Sequence, residues 1–515
     1  MVAGATQVED RITKAPAGPP EAPAEAPERV RGLGLLALVG RHPAFAVVLA
    51  LGALLRGVTM LGYRPAMFFN DSFDYLHAAM DVYPHPLRPN GYSFLLLIFK
   101  PFHSFALVVA VQHLMGLAMG LMIYALLRRR FGLPGWGAAL ATVPVLLDAY
   151  QIQLEHLILS DAPFTFLIVS AITLVLWHAR PSWQVAAGIG LLLGAASLTR
   201  TLGLPVLLVV VGYMVLRRVR WRIVALTLVS GVLPLIAYSG WFYSEHQVFN
   251  TTESNGIFLY ARVYKFADCD KIKPPVDEIP FCVQAENRLP NSQDGIWNRR
   301  SPLRRFPEAR FSSDQNARAS SFSKRAITAQ PGDYLQVVAH DFFRVFRWER
   351  TVFPDKDTYR QYEFEKEATP LPDWRMSNDA TAAQEAMAYE QGNARTRVVE
   401  PFAGVMRTYQ DHVYLRGTLL GFILLIALAG MLPLWRRFGG AALVPVLTAV
   451  GLLLAPAATA EFDYRYILPT VPLACLAAAM AFSPEIRGRV RGARRRRATD
   501  TEDTPAEPDP EPALR

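Results

Sequence analysis

Two carboxylates and an imidazole lie close together near the start of the chain, in the segment FFNDSFDYLHAAM at residues 68–80. Asp71, Asp74 and His77 follow one another at intervals of three residues, which places them on one face if the segment is helical. Such a face suits two kinds of chemistry. One carboxylate can act as a general base that the other orients, or the three side chains can hold a divalent cation. The spacing alone leaves both interpretations open.

Other charged side chains occur between apolar runs later in the chain. They are Glu155, His156 and Asp161 in YQIQLEHLILSDAPF, Arg200 in SLTRTLGLP, and Glu461, Asp463 and Arg465 in AEFDYRYILP. Charges at membrane depth are costly unless they face a partner or a cavity, so these residues are candidates for function. For Asp463 and Arg465, a purely structural ion pair is an equally good interpretation.

The elements that must position these residues are apolar enough to cross a membrane. Of the 515 residues, 52% are hydrophobic and 19% are charged, which is typical of a multi-pass membrane protein with one polar domain. Because about 20 apolar residues cross the hydrocarbon core, the sequence predicts an α-helical polytopic membrane protein with about ten transmembrane helices. The predicted spans are residues 43–61, 104–127, 134–149, 159–177, 185–199, 203–216, 223–242, 417–434, 441–457 and 466–482.

Basic residues gather at alternate ends of these spans. They are Arg29, Arg31, Arg41, Arg128 to Arg130, Arg180, Arg217, Arg218, Arg220, Arg222, Arg436, Arg437 and Arg494 to Arg497. Lys and Arg concentrate on the cytoplasmic side of membrane proteins, so both termini are predicted to be cytoplasmic and the protein to lie in the plasma membrane. This topology accounts for much of the formal net charge of +9, and it argues against a nucleic-acid partner.

The topology divides the chain into five parts. They are a disordered cytoplasmic tail (1–33), an N-terminal transmembrane catalytic module (34–242), one large extracytoplasmic domain between spans seven and eight (243–416), C-terminal transmembrane helices (417–483), and a basic then acidic disordered cytoplasmic tail (484–515). The extracytoplasmic domain contains Cys269 and Cys282, and an oxidising compartment favours a disulfide between them. Two free thiols are the alternative.

The segment HPLRPNGYSFLLLIFKPF follows the first acidic residues. Pro86, Pro89 and Gly91 interrupt a helix, and an apolar run follows. This pattern predicts one or two short helices along the outer membrane interface, which would cover a polar pocket that both lipid and water can enter.

The order of these motifs resembles that of the integral-membrane glycosyltransferases of the GT-C type, particularly those that use polyprenyl-phosphate-linked sugars, such as protein mannosyltransferases and the aminoarabinose transferases of lipid A. The matching segments are NDSFDYL, RPNGYSFLL, EHLILSDAPFTFL, SLTRTLGLPVLL and DYRYILPTVPL, within residues 40–245 and 415–482. In the protein mannosyltransferases a second acid directly follows the first. Here Ser72 follows Asp71 and the second acid is Asp74, which argues against mannose as the sugar.

The resemblance implies transfer of a sugar from a polyprenyl-phosphate donor to an extracytoplasmic glycan, lipid or protein. Such transfer needs a base for the acceptor hydroxyl and positive charge for the departing phosphate. Asp71 is the predicted base, supported by Asp74 and His77, and Arg200 is the predicted phosphate ligand. Arg64, Arg88 and Arg465 are alternatives for the phosphate. Glu155 and Asp161 are expected to hold sugar hydroxyls, orient the acceptor or complete a metal site.

Two other classes of protein are compatible with these patterns. A secondary transporter or lipid flippase also places charges in a membrane cavity, but it alternates access, whereas the acids and arginines here fall on one side. A non-catalytic scaffold of the cell envelope explains the outer domain, but it does not require charges at four outer turns.

Overall fold

The computed structural model describes residues 41–437, 439–484 and 486–488 of the chain. The predicted tail at 1–33 and nearly all of the predicted tail at 484–515 lie outside this part of the chain, including Arg29, Arg31 and Arg494 to Arg497. The described residues from Ala44 onward form one compact unit.

Helices account for most of the described chain. They are α1 (Pro43–Gly62), α2 (Asn70–Asp81), α3 (Gly91–Phe99), α4 (Phe105–Arg129), α5 (Gly135–Leu147), α6 (Ala149–His156), α7 (Asp161–Trp177), α8 (Trp183–Thr199), α9 (Gly203–Leu216), α10 (Trp221–His246), α11 (Asn255–Tyr264), α12 (Cys269–Ile272), α13 (Asp294–Trp297), α14 (Ser313–Ala329), α15 (Pro331–Arg344), α16 (Lys356–Arg360), α17 (Ala382–Glu390), α18 (Phe402–His412), α19 (Gly417–Met431), α20 (Leu443–Thr459) and α21 (Val471–Met480). Short 3-10 turns lie at Lys100–Phe102, Val276–Phe281, Ala285–Asn287, Pro302–Arg305, Leu432–Arg437, Gly440–Ala442, Tyr464–Tyr466 and Leu468–Thr470. Two short strands, β1 (Tyr63–Arg64) and β2 (Arg397–Val398), pair in antiparallel orientation.

Five helical segments of the described chain are long and apolar enough to cross a membrane, by length and composition. They are Pro43–Gly62, Phe105–Arg129, Trp221–His246, Gly417–Leu434 and Gly440–Thr459. The other five predicted spans fall on shorter apolar helices, namely α5, α7, α8, α9 and the segment Tyr464–Met480. The helical membrane architecture agrees with the sequence-based prediction, and the count of ten spans stays a prediction.

Small residues allow the membrane helices to approach closely. A Cβ atom added at Gly194 in α8 would lie 2.6 Å from the carbonyl oxygen of Gly231 in α10. Such contacts are characteristic of helix packing in membranes, where dispersion between close backbones replaces the hydrophobic effect as the driving force.

The predicted outer domain at 243–416 contributes to two separate apolar cores. Residues from α11 and α14, including Tyr260 and Phe322, form one core of their own. Tyr362 and Tyr389, in contrast, belong to the same core as the membrane helices. The sulfur atoms of Cys269 and Cys282 form a disulfide beside the first of these cores.

Candidate active site

The start of α2 presents the first acidic residue of the site. Ser72 is fully buried, and its hydroxyl accepts a 2.8 Å hydrogen bond from the backbone N–H of Phe69. This bond satisfies a donor at the helix start, which is why a small hydroxyl residue suits the position between the acids. Asp71 lies in the first turn of α2, where the helix dipole favours a negative charge.

Asp71 lies between two arginines from distant parts of the chain. Its Oδ1 atom is 2.6 Å from Nη2 of Arg88, and its Oδ2 atom is 2.6 Å from Nη1 of Arg465. The carboxylate is 11% exposed and the Arg465 side chain is 8% exposed. Both carboxylate oxygens are therefore occupied by charge-assisted hydrogen bonds in a largely dry environment.

The same two arginines each contact a second acid. The Nε atom of Arg88 is 3.3 Å from Oδ2 of Asp74, and the Nε atom of Arg465 is 3.2 Å from Oδ2 of Asp463. Asp463 and Arg465 thus form an ion pair, and Arg465 also contacts Asp71. The structure therefore brings Asp71, Asp74, Arg88 and Arg465 into one cluster.

A second pair joins the cluster through an aromatic ring. Arg200, the residue directly after α8, forms an ion pair with Asp161, the first residue of α7. The guanidinium of Arg200 lies 5.0 Å from the ring centre of Tyr466, and that of Arg465 lies 5.3 Å from the same ring. Because cations are attracted to aromatic rings, Tyr466 links Arg200 with Arg465 in one group of contacts.

A close backbone contact fixes the position of the Arg88 loop. A Cβ atom added at Gly91, the first residue of α3, would lie 2.5 Å from the backbone of Leu198 and Thr199 near the end of α8. Only glycine permits this approach, which carries the loop with Arg88 to the turn with Arg200. We refer to Asp71, Asp74, Asp161, Asp463, Arg88, Arg200 and Arg465 as the Asp–Arg cluster.

The arginines shift the titration of the two acids on α2 in opposite directions. Burial raises the pKa of Asp71, but the charges of Arg465 and Arg88 outweigh it and hold this pKa below its ordinary value. Burial also raises the pKa of Asp74, and there Arg88 only partly offsets it while the negative charge of Asp71 adds to it. Of the two acids on α2, Asp71 is therefore the one whose charged form the arginines stabilise more.

The structure places Glu155 outside the Asp–Arg cluster. Its carboxylate is fully buried and forms a two-pronged pair with Arg56 of α1, with distances of 2.7 Å and 2.8 Å. The Nδ1 atom of His113 lies 3.0 Å from the same carboxylate. Glu155 thus has a full set of internal partners. Arg56 has no recognisable signal in the sequence, because it is a single charge in the apolar run of the first predicted span.

Two further predicted residues also point elsewhere. Arg64 is exposed and lies in β1, opposite Arg397 of β2. His77 lies toward the end of α2, where its two ring nitrogens are 2.7 Å from Glu385 and 2.7 Å from Ser377. Neither Glu385 nor Ser377 was predicted as a site residue, because the sequence around them does not indicate a contact with α2.

The expected cation on Asp71, Asp74 and His77 does not fit this arrangement. Both oxygens of Asp71 are taken by guanidinium groups, and both nitrogens of His77 are engaged. Within the described ranges, the one group of three possible metal ligands with all atoms within 4.8 Å of one another consists of His77, Asp81 and Glu385.

No family model and no curated protein sequence matches this chain. Three chains of solved structures match, all of an oligosaccharyltransferase from Archaeoglobus fulgidus. These neighbours are GT-C type membrane glycosyltransferases, the class that the sequence motifs resemble.

One of them is AglB in complex with an inhibitory peptide and a dolichol-phosphate, with a TM-score of 0.38 and 13% identity over 91% of this chain and 53% of that chain. The enzyme tethered to an acceptor peptide gives a TM-score of 0.38 and 12% identity over 86% and 50%. Its apo form gives 0.37 and 12% over 90% and 52%. This chain spans about half the length of these structures, and scores this low carry no argument about its own fold or activity.

Proposed function

We propose that this protein is a membrane glycosyltransferase that moves a sugar from a polyprenyl-phosphate donor to an acceptor hydroxyl. One observation carries the proposal, namely the position of Asp71 between Arg88 and Arg465, with Arg200 beside them. A base and several guanidinium groups in one partly dry site are what this transfer requires.

The three arginines suit the departing phosphate. Guanidinium groups bind phosphate oxygens through paired hydrogen bonds and keep their charge at any physiological pH. Arg200 and Arg465 both lie near the Tyr466 ring, and the charge of Arg200 also acts on Asp71, so we assign Arg200 to the same phosphate site. Breaking the sugar–phosphate bond leaves its electron pair on the phosphate oxygen, and this is the charge that the arginines would stabilise.

Without a bound donor, the Asp71 carboxylate makes the contacts with Arg88 and Arg465 that we assign to the donor phosphate. A carboxylate that accepts from two guanidiniums is an internal anion at the position we assign to the donor. When the donor phosphate takes over the arginines, Asp71 loses its cationic partners and its pKa rises. Asp71 then accepts the proton of the acceptor hydroxyl while that oxygen attacks the anomeric carbon. In this scheme, donor binding activates the base.

Asp161 has a free hydrogen-bonding position for the sugar. Its Oδ1 atom pairs with Arg200, whereas its buried Oδ2 atom has no hydrogen-bond partner among the described residues. A buried acceptor without a donor is costly, and a sugar hydroxyl would supply the donor. Asp161 is therefore the proposed ligand for the sugar, next to the phosphate site.

The position of the cluster within the bundle fits a lipid-linked donor. Asp161 begins α7, whereas Arg180 follows the other end of that helix, about 25 Å away at 1.5 Å per residue. The cluster thus lies at the ends of the helices opposite the basic loops. Under the positive-inside rule this is the extracytoplasmic side, where the acceptor would be a glycan, lipid or protein of the cell envelope.

The direct test is transfer by the purified protein in vesicles that contain a panel of polyprenyl-phosphate sugars. Release of polyprenyl phosphate is measured for the native chain and for Asp71→Asn, with Asp357→Asn as control, since Asp357 is 84% exposed on α16. The proposal requires a loss of roughly a hundredfold to ten-thousandfold in Asp71→Asn alone. Equal turnover by the native chain and Asp71→Asn would refute it.

A further inference from the structure

A second polar cluster lies near the other end of α2. The Nε2 atom of His77 is 2.7 Å from the hydroxyl oxygen of Ser377, and its Nδ1 atom is 2.7 Å from Oε1 of Glu385. The Ser377 hydroxyl, the His77 imidazole and the Glu385 carboxylate therefore form one hydrogen-bonded chain. A line of nucleophile, base and orienting acid is the geometric signature of an activated serine.

The base and the acid of this line are held rigidly. His77 is 3% exposed and Glu385 is 4% exposed. The ring of Tyr83 packs edge-on against His77 at 5.2 Å, and the Asn378 side chain donates a 2.9 Å hydrogen bond to Oε1 of Glu385. The carboxylate of Asp81 lies 3.7 Å from the imidazole. Two carboxylates thus lie beside one imidazole, and the hydrogen bond to Glu385 orients the ring.

The serine, in contrast, is exposed and lies on a tight turn. The backbone N–H of Asp379 donates to the carbonyl of Met376 at 3.2 Å, so Ser377 and Asn378 are the two central residues of the turn. The backbone N–H groups of these two residues meet no acceptor within the described part of the chain. Two adjacent free N–H groups beside a nucleophile can stabilise an oxyanion.

We propose that Ser377, His77 and Glu385 form a second catalytic site, which cleaves carboxylic esters. The Ser377 oxygen attacks the ester carbonyl carbon while its proton passes to Nε2 of His77. The carbonyl electron pair moves onto oxygen, facing the N–H groups of Ser377 and Asn378. When the carbonyl re-forms, the alcohol leaves with the proton from Nε2, and the acyl group stays on Ser377.

Water completes the reaction. It attacks the acyl group and gives a proton to Nε2 of His77, and that proton returns to the Ser377 oxygen as the carboxylic acid departs. The net reaction joins one ester with one water to give an alcohol and an acid. The ester can be carried by a sugar or by a lipid. This site uses none of the Asp–Arg cluster residues, so it does not depend on the proposed sugar transfer.

The test is covalent labelling of the full-length protein in detergent with a fluorophosphonate, which phosphonylates activated serines and releases fluoride. Peptide mass spectrometry should place the adduct on Ser377. Ser377→Ala should remove it, and His77→Asn should slow labelling by about a hundredfold or more. Ser313→Ala, which removes an outer-region hydroxyl that no described imidazole contacts, should leave labelling unchanged.

Two results would overturn the proposal. The first is an adduct level at Ser377 no higher than at other exposed serines. The second is retention of a divalent cation by the native protein that is lost in both His77→Ala and Glu385→Gln, without any adduct. The second result would assign these residues, with Asp81, to a metal site. If Ser377 is labelled, hydrolysis of acylated sugars and of acylated lipids is compared between the native chain and Ser377→Ala, and this comparison identifies the ester.

Discussion

The Asp71 carboxylate accepts a 2.6 Å hydrogen bond from Arg465, a residue 394 positions later in the chain. The candidate active site is thus assembled from the two ends of the membrane part. A fragment that ends before Arg465 lacks one of the two cations on Asp71, so the site cannot form from the N-terminal helices alone.

Replacing Asp71 should separate binding from turnover. Since Asp71 competes with the donor phosphate for Arg88 and Arg465, we expect Asp71→Asn to bind polyprenyl phosphate several-fold more tightly while transfer is lost. Equilibrium binding of a labelled polyprenyl phosphate to the purified variants measures this, with Asp357→Asn as control. Weaker binding by Asp71→Asn would contradict the role of Asp71 as an internal substitute for phosphate.

Donor binding should depend on the planar guanidinium of Arg200 and not only on its positive charge. Arg200→Lys keeps a cation but loses the planar fork that binds phosphate and stacks on Tyr466, so the KM for the donor should rise about tenfold or more. Arg360→Lys is a matched control, because Arg360 is 73% exposed and lies outside the Asp–Arg cluster. Donor kinetics in vesicles distinguish the two variants, and equal KM values would remove Arg200 from the phosphate site.

The pH profile should identify the base. The arginines lower the pKa of Asp71, so the acid limb of kcat/KM should lie below the ordinary aspartate value of about 3.9. Activity is full above this limb and is lost as the falling pH protonates the base. Because bound donor removes the arginines from Asp71, the limb of kcat should lie at higher pH than that of kcat/KM. If Asp74 is the base, its raised pKa moves the kcat/KM limb above about 3.9 instead.

The Arg56–Glu155 pair should matter for stability. Removal of one partner leaves a buried charge without compensation, so Glu155→Ala should cost about 3–5 kcal/mol. The double variant Arg56→Met with Glu155→Leu removes both charges and should recover much of this loss. Thermal unfolding in detergent tests the expectation. If Glu155→Ala is as stable as the native chain yet inactive, Glu155 belongs to catalysis after all.

Divalent cations should have little effect on sugar transfer. Asp71 and Asp74 contact arginines, and the three-ligand group of His77, Asp81 and Glu385 is a separate set of atoms. Treatment with a chelator, followed by removal of the chelator, should therefore leave the transfer rate unchanged within about twofold. Loss of transfer that Mg²⁺ or Mn²⁺ restores would return a metal to the mechanism.

The sequence predicts helices well in this protein because length and apolarity act locally. Every predicted span corresponds to an apolar helix, and α3 lies where Pro89 and Gly91 predict a short helix. The partners of the charged residues depend on tertiary packing instead. The predicted topology puts the acids and the arginines on the same side of the membrane, so contacts among them could be predicted. The position of Glu155 outside the Asp–Arg cluster could not. Glu155 pairs with Arg56 instead, and Arg56 gives no sequence signal because its neighbours in the chain are apolar.

The contacts that residues 377–385 make with α2 could not be predicted from the sequence either. Ser377 and Glu385 meet His77 only because α17 packs beside α2, about 300 residues away in sequence. No local periodicity encodes such a contact. Ser72 shows the opposite case, since a hydroxyl at the start of a helix is a local signal, and it accounts for the spacing between the two acids.

The separate apolar core of α11 and α14, with its disulfide, has an evolutionary consequence. Side chains that pack mainly on one another can be exchanged together, whereas a change at Tyr362 or Tyr389 disturbs the core that they share with the long apolar helices. Among homologues, we therefore expect insertions, deletions and rapid divergence to concentrate within residues 255–329, without remodelling of the Asp–Arg cluster.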